Sequence, residues 1–490
     1  MVDIAKSKRN KIDKWNCMLL CVCIVFYMLF PLLDGPVWCV DSEGYATMHI
    51  TREPLYPAFL ALCREVAWFM SVDYLMIAVV LQSFLAAVTT WFLGYTVWGI
   101  KNHSRILQLS AILFQFSVTL LCRFAANRGS VYTDSIMTEG IGLSLFILFS
   151  VQLFLFIQTE GKRHLLWTLL FTFLAICLRK QMMITLFVAM IVFAWCVLIR
   201  RRKVRYFICL ILLLFGVYMA SKVTDRTYQY IVRGVWMEHS GNSMGLLCTL
   251  LYSSDVDRDR ELFEDEVIQN LYLEIMQQAD EQQLLYPYAE SGWLNVSSHY
   301  AGSYDAIGYG IINPVVEGYI SGNFDYSETD AAIKYDEICG KMSRVLLLQN
   351  PIPLLRVYLY NTWTGFVNTI ARERRSLSLY AAAAYAALGM MAWYLVIRKR
   401  KLNKMIQADD SGTQETGQFL EECRNRVGQI EVSLCFTFIV MVGIIVNALV
   451  VGLIIFAQSR YMIYGMGLFY LAGCMLLYDI ISAVRSRRIS

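Results

Sequence analysis

The sequence predicts an all-α polytopic membrane protein with about ten transmembrane helices and one loop domain of α or α/β structure. The 490-residue chain is 57% hydrophobic and only 17% charged, whereas an average soluble domain is about 25% charged. Its apolar residues come in blocks of about 20, the length needed to cross a bilayer core of about 30 Å. Most blocks lack the polar face of a soluble amphipathic helix, so a membrane is the simpler environment.

Ten apolar blocks give the predicted spans. Along the chain they cover about 15–33, 73–98, 105–122, 138–158, 164–178, 182–199, 206–221, 376–397, 431–456 and 461–482. When the loops alternate from a cytoplasmic N-terminus, every dense group of Lys and Arg falls on the cytoplasmic side, as the positive-inside rule requires. We therefore expect a multi-pass protein of the cell membrane with both termini in the cytoplasm. The stretch 54–71 is also apolar but contains Arg64 and Glu65, so we predict a helix lying on or dipping into the membrane.

This topology divides the chain into four parts. Residues 1–221 form an N-terminal transmembrane module, predicted to be catalytic, with extracytoplasmic loops 34–72 and 123–137. Residues 222–350 form a large acidic extracytoplasmic loop, long enough to fold as a domain on the membrane face. Residues 351–375 are amphipathic and are predicted to lie along the interface. Residues 376–490 hold the last transmembrane helices and a polar cytoplasmic linker, 398–428.

The first extracytoplasmic loop contains two carboxylates only two residues apart, Asp41 and Glu43. A carboxylate at a membrane face can act as a general base or bind a divalent cation. Arg52, in the same loop, presents a planar group of donors that suits a phosphate. The alternative is that these charges are the ordinary content of a short exposed loop.

Further polar residues fall on the same predicted side of the membrane. Glu139 opens a span, where an acidic residue either faces a polar cavity or favours the helix N-terminus. Arg179, at a predicted hairpin tip, and Arg460, before the last span, are cations on the side where the positive-inside rule disfavours them. They either bind a lipid phosphate or anchor the helices at the interface. The candidate substrate-binding residues are Tyr45, Arg52, Tyr56, Arg128, Asp134, Glu139, Arg179, Lys180, Arg460 and Tyr461.

The order of these motifs resembles the GT-C superfamily of membrane glycosyltransferases, which includes protein O-mannosyltransferases and aminoarabinose transferases. The matching segments are Asp41–Tyr45, Arg52–Pro57, Thr138–Gly140, Arg179 and Ser459–Tyr461, and the resemblance covers about residues 15–221 and 376–482. It implies transfer of a sugar from a polyprenyl-phosphate donor to a lipid, polymer or protein acceptor in the cell envelope. Asp41 or Glu43 would be the base.

The resemblance leaves the use of a metal open. In many relatives two acids are adjacent or spaced as Asp-x-Asp, whereas here Ser42 separates an Asp from a Glu. A divalent cation, Mg²⁺ or Mn²⁺, is therefore an open possibility, with Asp41, Glu43 and Glu139 as its candidate ligands. Transfer by a single base would invert the anomeric centre, by analogy with single-displacement glycoside chemistry.

Two other classes of function fit the same topology. One is a lipid-linked saccharide polymerase, ligase or flippase, although the nearly charge-free span interiors disfavour transport of a charged substrate. The other is a non-enzymatic membrane assembly protein that binds through the acidic loop. The sequence contains no phosphate-binding glycine loop, no serine nucleophile elbow and no basic nucleic-acid patch.

Overall fold

The computed structural model describes residues 13–121, 130–199, 204–241, 243–371, 375–408 and 414–485. Over these residues the chain is helical and has no strand; two loops meet in one isolated parallel bridge, Val37 with Ser135. The predicted all-α class is therefore confirmed for the described part of the chain. The nine helices of the N-terminal part are α1 (Lys14–Leu33), α2 (Ser42–Ala46), α3 (Leu55–Met70), α4 (Tyr74–Ile100), α5 (Arg105–Leu121), α6 (Glu139–Thr159), α7 (Lys162–Leu178), α8 (Ile184–Ile199) and α9 (Val204–Arg233).

The remaining helices form a second group and the end of the bundle. They are α10 (Ser243–Tyr252), α11 (Val256–Asp259), α12 (Glu266–Glu281), α13 (Trp293–Ile307), α14 (Asn313–Asn323), α15 (Glu328–Leu346), α16 (Pro351–Ile370), α17 (Arg375–Ala408), α18 (Gln414–Ile454), α19 (Ser459–Met462) and α20 (Met466–Arg485). Short 3₁₀ turns cover Lys180–Met183, Arg260–Leu262, Tyr286–Tyr288 and Ile463–Gly465, and one π turn covers Gly308–Ile312.

Eight helical segments in the described part of the chain are long and apolar enough to cross a membrane. They are Lys14–Leu33, Tyr74–Ile100, Glu139–Thr159, Lys180–Ile199, Val204–Arg233, Ser376–Gln407, Leu420–Ile454 and Ser459–Val484. The other two predicted spans, 105–122 and 164–178, are the helices α5 and α7, of 17 residues each. At 1.5 Å per residue these measure about 26 Å, less than the bilayer core. The class of membrane protein is thus supported, and the number ten stays a prediction.

Two helices extend beyond the apolar blocks that predicted them. The block 206–221 lies within α9, which has 30 residues and is therefore about 45 Å long. Its last third is polar, yet Asp225 and Gln229 are buried there. The segment 398–428, predicted as a linker, is helical in its described parts because α17 continues to Ala408 and α18 begins at Gln414.

The loop helices, α10–α15, bury an apolar core of their own. Tyr272, Ile275 and Met276 of α12 pack there with Val316 of α14 and Met342 of α15. The capping residues are those expected at helix starts. Asp265 accepts hydrogen bonds from the backbone of Val267 and Ile268, and Ser327 accepts one from Asp330.

Helix α16 connects the loop helices to the bundle. The side-chain amide of Asn361 donates to the carbonyls of Gly452 (3.0 Å) and Ile455 (2.8 Å), and Asn368 donates to that of Ala457 (2.7 Å). Gly452 allows this approach, since a Cβ there would lie 2.5 Å from the hydroxyl of Thr362. The second half of α16 is therefore packed against α18, and its predicted position along the interface stays a prediction.

A buried ion pair joins three helices at the end of the bundle away from the loop helices. The ammonium group of Lys101, at the end of α4, donates to Asp479 of α20 (2.6 Å), to Ser433 of α18 (3.0 Å) and to the carbonyl of Gln429 (3.1 Å). All three of its protons thus have acceptors, which is what makes a charged group tolerable in an interior.

Candidate functional site

Two loops are joined beside the loop helices and hold the first candidate residues in place. The bridge between Val37 and Ser135 brings 34–54 against 130–138. The hydroxyl of Ser42 accepts from the backbone of Cys39 (2.8 Å) and donates to the carbonyl of Ile136 (2.9 Å). These contacts fix the turn that begins α2 and therefore the position of Asp41, which precedes it.

Gln82, in the first half of α4, links the second loop, 130–138, to helix α3. Its buried amide nitrogen donates to the carbonyls of Thr133 and Ser135, each at 3.2 Å. Its oxygen accepts from the hydroxyl of Tyr56 at 2.7 Å. Gln82 thus satisfies two carbonyl groups of the second loop and the hydroxyl of Tyr56 in α3, and its own amide is paired, which avoids the desolvation cost of a buried amide.

Asp41 lies between two arginines that are distant in sequence. Arg52 donates to its Oδ1 at 3.1 Å and Arg460 to its Oδ2 at 3.0 Å. Burial alone would raise the pKa of the Asp41 carboxyl, but the positive charges of Arg460 and Arg52 outweigh burial and hold the pKa below its usual range. Asp41 is therefore a carboxylate at neutral pH.

Arg52 reaches Asp41 because Gly44 has no side chain. The guanidinium crosses α2 at Gly44, where a Cβ would lie 2.5 Å from Nε and 3.0 Å from Nη2. The same guanidinium lies over the ring of Tyr45, 4.7 Å from its centroid. Tyr45 in turn packs edge-on against Tyr56, with ring centroids 5.0 Å apart. Both tyrosines are buried and support the arginine from below.

A second ion pair lies beside the first and shares an aromatic ring with it. Arg179 pairs with Glu139, which is fully buried at the start of α6. The ring of Tyr461 lies between Arg179 and Arg460, with centroid distances of 4.6 and 4.7 Å. Three guanidinium groups and two carboxylates thus converge within a few residues of the helix ends, with an excess of one positive charge. We refer to Asp41, Arg52, Glu139, Arg179 and Arg460 as the charged cluster.

A cavity of about 800 Å³ opens above the charged cluster. Asp41 and Arg52 line it at one end, together with His49 and Thr51 of the same loop. The loop helices α14 and α15 and the turn between them line the opposite wall. This volume lies within the range of cavities that hold a small molecule or a few sugar rings.

The remaining candidates take different positions. Glu43 is exposed and is not among the residues that line the cavity. Asp134 is buried, and its carbonyl accepts from the backbone of Val37 (2.8 Å). Lys180 contributes its backbone N–H, which donates to Glu53 at 2.6 Å. Arg128 lies outside the described residues.

The donor set of the charged cluster does not suit a divalent cation. Both oxygens of Asp41 accept from arginines, and Glu139 is paired with Arg179. A metal ion would have to displace these guanidinium groups and be bound beside their positive charge. In the described part of the chain no three His, Cys, Asp or Glu residues are grouped as metal ligands.

Some residues of the site were not predicted from the sequence. Gln82 was detectable in principle, because a polar side chain inside an apolar span calls for a buried partner. His239 was not, since nothing in its sequence context marks it. Its Nδ1 lies 2.6 Å from Asp225, and its Nε2 lies 3.9 Å from Glu53. It links the end of α9 to the first loop.

Comparison with known proteins adds no identification: no family model, no curated protein and no solved structure matches the chain. The resemblance to GT-C enzymes therefore rests on the order of its residues and motifs.

Proposed function

We propose that this chain is a GT-C-type glycosyltransferase that moves a sugar from a polyprenyl-phosphate donor to an acceptor on the extracytoplasmic side of the membrane. The observation that carries the proposal is the position of Asp41, held between Arg52 and Arg460 at the base of a cavity of about 800 Å³. A candidate base and two cations suited to a phosphate are thus next to each other, and Arg460 among them lies at the start of a helical segment that can cross a membrane.

In this mechanism Asp41 accepts the proton of an acceptor hydroxyl. The acceptor oxygen then forms a bond to C1 of the sugar while the bond from C1 to the phosphate oxygen breaks. The electron pair of the broken bond leaves with polyprenyl phosphate, where negative charge grows. Arg460 and Arg52 stabilise that charge, and the dominant contribution to catalysis comes from such fixed charges. A single displacement of this kind inverts the anomeric centre.

The cations also have unused donors. The Nε atoms of Arg52 and Arg460 are buried and have no hydrogen-bond partner among the described residues. A buried donor without a partner costs free energy, on the order of 1–3 kcal/mol. Phosphate oxygens accept several hydrogen bonds from guanidinium groups at once. A lipid phosphate that shifts these side chains by a small distance would satisfy the donors, and this favours an anionic donor at the charged cluster.

The test is sugar transfer by the purified full chain in detergent. The donors are undecaprenyl phosphates carrying radiolabelled glucose, mannose or N-acetylglucosamine, with a total membrane extract as the source of acceptor. We expect Asp41→Asn to lower transfer at least about 100-fold, the usual contribution of a general base, while donor binding persists. Glu43→Gln is the matched control, and we expect it to keep most of the activity.

Two results would contradict the proposal. One is transfer by Asp41→Asn at the rate of the unchanged protein. The other is the absence of both donor binding and transfer in the unchanged protein with every donor and with lipid-linked sugars extracted from its own host. In that case the cavity would be better explained as the binding site of a non-enzymatic membrane protein.

A further inference from the structure

The cavity above the charged cluster has two walls of different charge, which meet where His49 of the first loop lies 3.3 Å from Glu328 of α15. Its base, formed by the first loop, carries Asp41 and Arg52. Its upper wall, formed by the loop helices, carries the carboxylates of Glu317, Asp325 and Glu328. Arg52 is the one Lys or Arg among the described residues that line the cavity. The upper wall is therefore negative, whereas the base is where a phosphate would be bound.

The histidine of the cavity does not compensate this negative charge at neutral pH. His49 is half-buried, and burial lowers its pKa below the ordinary value even though Glu328 lies 3.3 Å away. It is therefore mostly neutral at pH 7, where its Nδ1 accepts from the backbone of Thr51 (3.4 Å) and its Nε2–H can donate to Glu328 without adding positive charge. Asp41 is balanced by Arg52 and Arg460, so at that pH the three carboxylates of the upper wall have no Lys or Arg of their own among the described residues that line the cavity.

Aromatic rings line both the base and the upper wall of the cavity. Tyr309 is 60% exposed and lies on the side of Asp41 and Arg52, whose charges act on it. Phe324 and Tyr326 of the upper wall are stacked, with ring centroids 4.7 Å apart and planes inclined by 8°. Aromatic faces attract cations and also offer flat apolar surface beside polar groups. One such contact with a cation is already present in the upper wall, because the ammonium group of Lys334 lies 6.0 Å from the ring centroid of Phe324.

Flat aromatic rings beside carboxylates suit one class of ligand particularly well. A sugar ring has an apolar face that packs on an aromatic ring, and it has hydroxyl groups that donate to carboxylates. Each of these hydrogen bonds is stronger than one between neutral groups. A ligand with negative groups would be repelled by this wall, and one with an ammonium group would be attracted to both the carboxylates and the rings.

We propose that the upper part of the cavity binds a saccharide that carries free amino groups, as in a chain of glucosamine residues. Its role as the acceptor of transfer rests on the proposed function, whereas its binding does not. An ammonium group several ångströms from two or three carboxylates in a solvated cavity gains on the order of tenfold in affinity over a neutral analogue. The preference should weaken as salt is added, because the cavity is open to solvent.

The experiment measures binding of soluble saccharides to the full chain in detergent at pH 6.5, without any donor. The probes are tetramers of glucosamine, of N-acetylglucosamine and of galacturonic acid, which are cationic, neutral and anionic. We expect the glucosamine tetramer to bind about tenfold more tightly than the neutral tetramer, and the anionic tetramer to bind most weakly.

Variants distinguish binding in the cavity from attraction to the general negative charge of the large loop. Glu317→Gln with Asp325→Asn should abolish the tenfold preference. The matched control, Glu264→Gln with Glu281→Gln, removes the same charge from two exposed positions, just before α12 and at its last residue, that do not line the cavity. This control should keep the preference. Tyr309→Leu should weaken binding of the cationic and the neutral tetramer alike.

The outcomes distinguish this proposal from the proposed function. Equal affinity for the cationic and neutral tetramers, or no binding of either, would overturn the saccharide assignment even if sugar transfer were intact. Loss of the preference in the control pair as well would also overturn it, because binding would then follow overall charge. Conversely, the glucosamine tetramer could bind with a preference that depends on the cavity carboxylates while the protein transfers sugar from no donor. That result would support the saccharide site and contradict the proposed transferase function.

Discussion

Gly44 offers a test of the site that leaves every charged group in the sequence unchanged. A methyl group at this position would lie 2.5 Å from Nε of Arg52 and 3.2 Å from its Cζ. Ordinary contact requires about 3.5 Å or more, so the guanidinium must move by about 1 Å. The hydrogen bond of Arg52 to Asp41, now 3.1 Å, would then exceed the usual limit.

The expected effects on activity and stability differ in size. A misplacement of about 1 Å in a site of this kind can lower the rate about 100-fold, and we expect Gly44→Ala to reduce sugar transfer by between tenfold and 100-fold. The loss of one half-buried ion pair costs about 1 kcal/mol. Ala stabilises a helix by about 0.5–1 kcal/mol over Gly, which nearly offsets that loss. The melting temperature should therefore change by only a few degrees.

The assay compares transfer rate and thermal unfolding in detergent for three variants. Gly302→Ala is the control, because it lies in helix α13 with nothing within 4 Å of the added methyl group, and it should behave as the unchanged protein. Arg52→Ala gives the effect of removing the guanidinium altogether. Full transfer by Gly44→Ala beside an inactive Arg52→Ala would refute the reasoning, since the arginine would then function without the space that Gly44 provides.

Two further perturbations concern stability. Lys101→Met should lower the unfolding free energy by about 3–5 kcal/mol, because it leaves Asp479 buried and unpaired. Adding Asp479→Leu to this variant should restore most of the lost stability. Thermal unfolding of the single and the double variant measures both effects, and an equal loss of stability in the two variants would refute the prediction. Burial would lower the pKa of His239, but the hydrogen bond with Asp225 and the charge of Glu53 raise it above its usual value. The stabilisation from protonated His239 is therefore fully present below about pH 6.5, the pKa of an unperturbed histidine. It is lost as the pH rises through the higher pKa that His239 has in the folded protein. We expect the melting temperature to fall over that range in the unchanged protein and to stay flat in His239→Gln.

Much of the fold was predictable because the apolar interior of a membrane restricts which structures a chain can form there. Apolar blocks identify helices that must satisfy their own backbone in lipid, and eight predicted blocks correspond to candidate spans. The hydropathy of the sequence does not predict where a helix ends if the helix continues into polar residues. Helix α9 continues through Asp225 and Gln229 because these residues are buried against other elements, and that information is tertiary.

The residues of the charged cluster were selected from the sequence one by one, but not as an arrangement. Asp41 and Arg52 were selected as a carboxylate and a planar cation in the first loop, and Arg460 as a cation on the side of the membrane that the positive-inside rule disfavours. Their pairing joins positions 41, 52 and 460, and no local pattern contains such a contact. Gly44 was missed because its role is steric and becomes visible only when Arg52 is in place. Gln82 was missed although a polar side chain inside an apolar span calls for a buried partner.

In the proposed enzyme, the two arginines that hold Asp41 would also determine when it can accept a proton. With both guanidinium groups on it, the carboxylate has a lowered pKa and is therefore a weak base, since base strength follows pKa. A donor phosphate that binds Arg460 and Arg52 would draw positive charge away from Asp41 and place a negative charge beside it. Both changes raise the pKa of a carboxyl group. In the proposed enzyme the base therefore becomes strong only when the donor is bound, which couples removal of the acceptor proton to the presence of a sugar to transfer.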